Sequence, residues 1–154
     1  MDQTIIIGAD HAGFQLKETV KFYLEKKGWV VSDVGTHGEE AVDYPDYGMK
    51  VAEAVSTGVC PRGILVCGSG VGMAIVANKF DGIRAAVCLD VETARMSRLH
   101  NDTNILILAG RKTDSGIARQ IVGVWLETPF EGGRHQGRLD KIRALETDRK
   151  GFRL

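Results

Sequence analysis

The sequence predicts a three-layer α/β/α domain, a five-stranded parallel sheet with helices on both faces and a further helix at the C-terminus. Two observations carry that reading. Short apolar runs rich in β-branched residues alternate with longer amphipathic stretches five times along the chain, and glycine, proline and capping residues fall at the junctions between them. Length agrees, since 154 residues make one domain that buries about two-thirds of its unfolded surface.

In chain order, residues 4–7, 29–34, 63–67, 84–88 and 104–108 have the length and composition of strands. Leu16, Val20, Tyr23, Leu24 and Lys27 follow a helical spacing, and Gly28 stops that helix. Pro45 opens a second helix with Val51, Ala52 and Val55 inward and Gly58 at its end. Residues 73–77 continue as a third. Asp90 caps a helix over 92–100, and Thr113 or Asp114 caps the next, which turns Ile117, Ile121, Val122 and Trp125 inward. Such a Rossmann-like series brings the residues that follow each strand to one edge, where open α/β sheets bind their ligands. Those residues are Gly8-Ala9-Asp10-His11, Gly35-Thr36-His37, Gly68-Ser69-Gly70-Val71-Gly72, Leu89-Asp90 and Ala109-Gly110-Arg111.

Composition excludes several classes of function. Lys plus Arg equals Asp plus Glu at 20 each, which argues against a sequence-blind nucleic-acid binder or a membrane-surface protein. No apolar run approaches the ~18–20 residues of a membrane span, and Asp2 stands where a signal peptide would carry positive charge. Three cysteines, Cys60, Cys67 and Cys88, form neither a CxxC pair nor an even disulfide framework. A cytoplasmic protein is expected. His11, His37, His100 and His135 have no recognised ligand spacing, so neither a metal nor another cofactor is expected. His37, Cys60 and Cys88 read as structural. The first turn has P-loop spacing from Gly8 to Gly13 but continues Phe14-Gln15 in place of Lys-Ser/Thr, and Gly68-x-Gly70-x-Gly72 is not a dinucleotide fingerprint. Asp33, at the end of the second strand, is then a loop or cap residue.

The third loop carries the strongest chemistry. Cys67 ends an apolar strand, and three alternating glycines lead into a helix. Glycines free backbone N–H groups to face an anion, and the field of a helix N-terminus favours thiolate. A thiolate beside such donors is a base facing an oxyanion hole; an inert apolar cysteine before a tight turn is the competing reading. Asp10-His11 can hold a sugar hydroxyl and an anionic group together, or Asp10 can simply cap a helix. His100 follows a helix end, which favours imidazolium, and can donate a proton or merely stabilise the helix. From Arg134 to Leu154 there are seven Lys or Arg against three acids. Arg134 and Arg138 share a helical face and can clamp a phosphate, or form part of a solvated helix anchored by Leu139, Ile142 and Leu145.

Several segments together resemble ribose-5-phosphate isomerase type B, in the family of ribose, galactose and allose phosphate isomerases. They are Gly8-Ala9-Asp10-His11-Ala12-Gly13-Phe14-x-Leu16-Lys17, Asp43-Tyr44-Pro45, Cys67-Gly68-Ser69-Gly70-Val71-Gly72, Ala77-Asn78-Lys79, Arg84-Ala85, His100-Asn101-Asp102-Thr103-Asn104 and Glu131-Gly132-Gly133-Arg134-His135. They stand in the family's order across residues 4 to 146. The resemblance implies a metal-free, cofactor-free aldose–ketose isomerase of the pentose phosphate pathway. It would interconvert D-ribose 5-phosphate and D-ribulose 5-phosphate through an enediolate, as a homodimer or tetramer with sites shared between subunits. By matching position Cys67 is the base, with Gly68, Ser69, Gly70, Val71 and Gly72 holding the oxyanion. His100 opens the sugar ring, with Asp10 and Tyr44 helping to orient it. His11, Arg111, Arg134 and Arg138 hold the phosphate, and Asn101 contacts the sugar. A branch of the family uses a glutamate just beyond the glycine loop as base; Met73 stands there, so the chain resembles the cysteine branch. The resemblance leaves six-carbon sugar phosphates open as substrates, and a non-catalytic phosphosugar-binding module is the rival from another class. The tail beyond about residue 146 has no assigned role.

Overall fold

A computed structural model describes residues 2–151, with side chains to Arg149. Five strands alternate with six helices in the order β1 (Thr4–Ala9), α1 (Phe14–Lys26), β2 (Val30–Asp33), α2 (Tyr44–Ser56), β3 (Gly63–Cys67), α3 (Val71–Ala77), β4 (Ala85–Val87), α4 (Val91–Asn101), β5 (Ile105–Ala109), α5 (Ser115–Glu127) and α6 (Arg134–Gly151). All ladders are parallel, and the strand order is β2-β1-β3-β5-β4.

Side-chain alternation along the strands builds a core on each face. Ile5, Ile7, Ile64, Val66, Leu106 and Leu108 point to the face covered by α1, α4 and α5, where Leu24, Ala94 and Trp125 meet them. Ile6, Leu65, Cys67, Ile105 and Ile107 point to the face covered by α2 and α3, against Val51, Val55, Met73 and Ala77. Continuous burial of β3 and β5 follows, since both faces of the central strands are covered. Asp90 accepts from Thr93 N at 2.7 Å, and Asp114 accepts from Gly116 N and Ile117 N, so these two residues start α4 and α5.

Two of the sequence expectations change. Asp33 is no loose cap: it lies beneath α1 in an ion pair with Lys17, whose side chain is fully buried, at 2.7 Å. Lys21 reaches the same carboxylate at 3.2 Å, and Gly35 N donates to it at 2.9 Å. Burial alone would raise the Asp33 carboxyl, but these bonds from Lys17, Gly35 and Lys21 hold it below the ordinary value. Asp10 does not cap α1 either. Gly13 is the N-cap, and Asp10 Oδ1 accepts from Gly13 N at 3.0 Å, closing the turn that precedes the helix.

The strand order places the site. From β1 the chain goes to β2 on one side and then to β3 on the other, so the loops after β1 and β3 part at their carboxyl ends and leave a crevice. Gly13 is required there, because a Cβ would stand 2.4 Å from Val66 O. The αβ connections lie at the opposite edge. Both the end of α4 and the entry to α6 are found there, tied by Glu131 N donating to Leu99 O at 3.0 Å.

Candidate active site

The crevice between β1 and β3 holds a cleft of about 440 Å³ lined by Asp10, His11, Ala12, Tyr44, Cys67, Gly68, Ser69, Gly72, Arg111 and Lys112. A groove of about 490 Å³ between α1 and α5 is slightly larger, but Glu18, Thr19, Phe22, Tyr23, Lys26 and Arg119 bring no nucleophile or anion-binding turn to it. Convergent chemistry, not volume, marks the first as the site.

Cys67 forms the floor. It is 4% exposed, and its Sγ accepts from Gly70 N at 3.2 Å. That bond requires Gly70 to take the left-handed conformation, at φ +82°, which brings the chain back over the sulfur as α3 begins. Val71 N turns to Ser69 Oγ at 3.3 Å. The first N–H groups of a helix have no partner within it, so the donors that follow along this turn remain for a ligand. Opposite them, Gly110 N donates to Cys67 O at 2.7 Å and Arg111 N to Gly68 O at 3.1 Å, which fixes the β5–α5 loop against the glycine turn. Tyr44, the first residue of α2, lies against Gly72, where a Cβ would meet its ring at 2.6 Å.

His11 is defined in its tautomer. Its Nδ1 accepts from Val42 N at 3.1 Å, so in the neutral ring the proton sits on Nε2, which is then a donor. Arg111 and Lys112 have no carboxylate partner among the described residues. Lys112 is a cleft cation that sequence reasoning missed, although its place next to Arg111 after the fifth strand could have found it.

His100, Asn101, Arg134 and Arg138 are not part of this cleft. They lie at the other edge of the sheet, beyond the N-terminal end of β5, whose five residues separate the two loops. Asp102 ends α4 in the left-handed region at φ 44°. Arg98 Nη1 and Arg84 Nη2 hold its carboxylate at 2.8 and 3.3 Å, which fixes the helix end that carries His100 and Asn101. Asn78, Arg84 and Asn104, quoted in the sequence motifs, are framework residues. Asn78 trades side-chain bonds with both backbone groups of Ala85, and Asn104 Oδ1 accepts from Arg84 N.

His100 has company that the sequence did not announce. Its ring stacks on His135, centroids 4.2 Å apart and planes 15° from parallel. Glu131 Oε2 lies 3.9 Å from His100 Nε2 and 4.0 Å from His135 Nε2. The signal was the four-residue spacing of Glu131 and His135. Together the three side chains are close enough to share a cation. Nearly parallel rings, however, aim their lone pairs side by side and not at one point, so a shared ion would require one ring to turn. Cys60 and Cys88 are packed away in the core, and burial raises both thiols, Cys88 to about 11.

Known proteins share this architecture throughout. Residues 5–142 match the model of a family described as Ribose/Galactose Isomerase. A ribose-5-phosphate isomerase B from Escherichia coli K12 is 48% identical over 145 residues, 94% of this chain and 97% of the relative. A D-erythrulose-4-phosphate isomerase from Pectobacterium atrosepticum is 42% identical, with 96% and 97% covered. Among solved structures, a ribose-5-phosphate isomerase B from Clostridium thermocellum superposes with a TM-score of 0.92 at 53% identity, over 94% of this chain and 98% of that one.

Proposed function

The chain belongs to the ribose/galactose isomerase family and is an aldose–ketose isomerase, and from that premise we propose that it interconverts D-ribose 5-phosphate and D-ribulose 5-phosphate with Cys67 as the base. The observation that carries the proposal is Cys67 Sγ, held by the Gly70 amide on the floor of a cleft walled by His11, Tyr44 and Arg111.

Isomerisation moves one hydrogen from C2 of the aldose to C1 of the ketose. The thiolate of Cys67 takes the C2 proton as the C1 carbonyl becomes an enediolate oxygen, then returns a proton to C1 as the C2 carbonyl forms, while the hydroxyl proton of O2 passes to O1 through water. Charge on the oxygens is met by the glycine-turn amides and the Ser69 hydroxyl, preorganised so that little reorganisation is needed during the reaction. Losing one donor of such a hole typically costs on the order of 10²–10³ in rate. The phosphate is received by the Nε2 proton of His11 and by Arg111, which anchor the sugar away from its reacting carbons. Asp10 is buried and tied to the Gly13 amide, so its carboxylate presents a fixed acceptor to sugar hydroxyls.

His100, Asn101, Arg134 and Arg138 complete this site from a second copy of the chain. One sheet edge supplies base and oxyanion donors, and the other supplies a ring-opening imidazole and a phosphate clamp, so two copies facing edge to edge form whole sites. Apolar side chains left exposed near both edges, Val71 and Ile75 on α3 and Ile142 and Leu145 on α6, support such an association. Free thiols at Cys60, Cys67 and Cys88 suit a reducing, cytoplasmic setting. Among the described residues no helix is long and apolar enough to cross a membrane.

Cys67→Ala tests the reading. The folded variant should lose all but a small residue of ribose 5-phosphate turnover, and turnover near wild type would remove Cys67 from the mechanism. A second reading, favoured by the 42% identity to a four-carbon sugar phosphate isomerase, keeps the chemistry and changes the sugar. One carbon changes the fit by only ~1–3 kcal/mol, so kcat/KM on four-, five- and six-carbon sugar phosphates decides between them.

A further inference from the structure

The residues around His100 form a unit. The left-handed Gly132 and Gly133 turn the chain into α6, with His135 N donating to Gly132 O at 3.1 Å. The turn thereby brings Glu131 and His135 to the His100 ring, and Glu131 N on Leu99 O keeps it docked against α4. The His135 side chain is 4% exposed and its Nε2 has no hydrogen-bond partner, whereas His100 is 39% exposed. Burial lowers the pKa of His135, and the neighbouring His100 and Arg134 lower it further against the pull of Glu131. Those influences favour the neutral form of the His135 ring, which lies flat against His100. Glu131 Oε2 needs only a small side-chain adjustment to accept from either Nε2.

We propose that Glu131 and His135 are positioning residues for the opening of the sugar ring: the Glu131 carboxylate orients the His100 imidazolium, and the flat face of His135 fixes its plane. This rests on the reading of His100 as the ring-opening group. In that step His100 gives its proton to the ring oxygen of closed ribose 5-phosphate as the C1–O4 bond breaks. The C1 hydroxyl loses its proton to water as the aldehyde forms. An imidazole free to turn on an exposed helix end would meet the ring oxygen in only a fraction of its rotamers. The stack and the carboxylate remove that freedom.

The test uses the fact that ribulose 5-phosphate cannot close a five-membered ring, because its C5 oxygen carries the phosphate. Exchange of its C1 hydrogen with deuterated water therefore needs Cys67 but no ring opening. Glu131→Gln and His135→Ala should slow turnover of ribose 5-phosphate about tenfold or more, a part of the 10²–10⁴ that a general acid contributes, and leave C1 exchange near the wild-type rate. His135→Phe, which keeps a flat ring in the stack, should recover most of the His135→Ala loss. The proposal is overturned if Glu131→Gln and His135→Ala convert ribose 5-phosphate like wild type, or if exchange falls as far as turnover does. No recovery with phenylalanine would assign the alanine effect to the ring nitrogens and overturn the role given to the flat face of His135. Should His135→Ala fail to fold, Glu131→Gln decides alone, since that side chain is 51% exposed and its tie to α4 is made by backbone. His100→Asn serves as the reference. If it leaves both activities intact, the reading of His100 fails and this proposal with it, whereas a wild-type enzyme lacking both activities refutes the substrate.

Discussion

Two inactive variants should restore each other. In one chain Cys67 and His100 lie at opposite edges of the sheet, separated by the five residues of β5, a span of about 13–16 Å at ~3.3 Å per residue. A proton donor must come within about 3 Å of its target, so neither residue can serve the other's substrate within one chain. On the proposed shared site, Cys67→Ala and His100→Asn should each be inactive as a homodimer, because both sites would lack the same group. Free exchange of equal amounts makes about half of all dimers mixed, and each mixed dimer pairs an intact Cys67 with the partner's intact His100 at one of its two sites. The mixture should reach roughly a quarter of wild-type turnover per site, given that isologous geometry. The assay is ketose formation from ribose 5-phosphate after co-refolding, with native mass spectrometry to count mixed dimers. If mixed dimers form and the rate stays at the sum of the two parents, the site is not shared, and the assignment of His100 to the partner is wrong.

Arg138→Ala should raise KM more than it lowers kcat, because a phosphate contact is made in ground and transition states alike; a loss confined to kcat would contradict the role. Lys17→Met should destabilise the fold by about 1–3 kcal/mol, the cost of one lost charge-assisted bond, because Lys21 and Gly35 still hold the Asp33 carboxylate; urea unfolding at neutral pH reads it. The Asp33 carboxyl is held below its ordinary value when folded. Its contribution is therefore complete above the unfolded pKa of ~3.9 and fades as pH falls through the lower folded value. Wild-type stability should decline over that acid range more steeply than that of Asp33→Asn, and parallel curves would refute the linkage.

Most of the architecture could be read from local pattern because local physics sets it. Gly28 and Gly58 end helices in the left-handed region, at φ +86° and +80°, where side chains are strained. Asp90 and Asp114 cap as their position before an apolar period suggests. Boundaries moved where tertiary pairing decided them. β1 runs on to Ala9 because β3 lies beside it as far as Val66. β4 begins at Ala85, one residue late, where the Asn104 side chain takes the Arg84 amide. What stayed hidden was partnership across distance in the chain. Lys17 entered only as the last residue of a motif, and the adjacency of β2 and β1 is what puts Asp33 beneath it. His100 and His135 belong to different helices, and neither motif names the other. Of the expected site, one half was brought together in the cleft, while His100, Asn101, Arg134 and Arg138 were set at the far edge, because strand order and helix direction are global properties.

That division follows from the fold. In an open parallel sheet every βα loop leaves at one edge and every αβ loop returns at the other. The glycine turn, thiol, His11 and Arg111 belong to the first set, and the imidazole stack with Arg134 and Arg138 to the second. Among the described residues Arg111, Lys112, Arg134 and Arg138 have no carboxylate partner. Unpaired cations in water cost little. Two copies joined edge to edge would gather all four around one point, where their mutual repulsion opposes assembly until an anion arrives. A phosphate dianion would answer that charge, so ligand and interface would stabilise each other, and linkage would make the coupling equal in both directions. A site drawn from one edge alone would hold its cations whether or not a second copy was present. On the proposed shared site, placing half of them across the interface would make tight capture of the sugar phosphate conditional on the assembly that also brings in the ring-opening group.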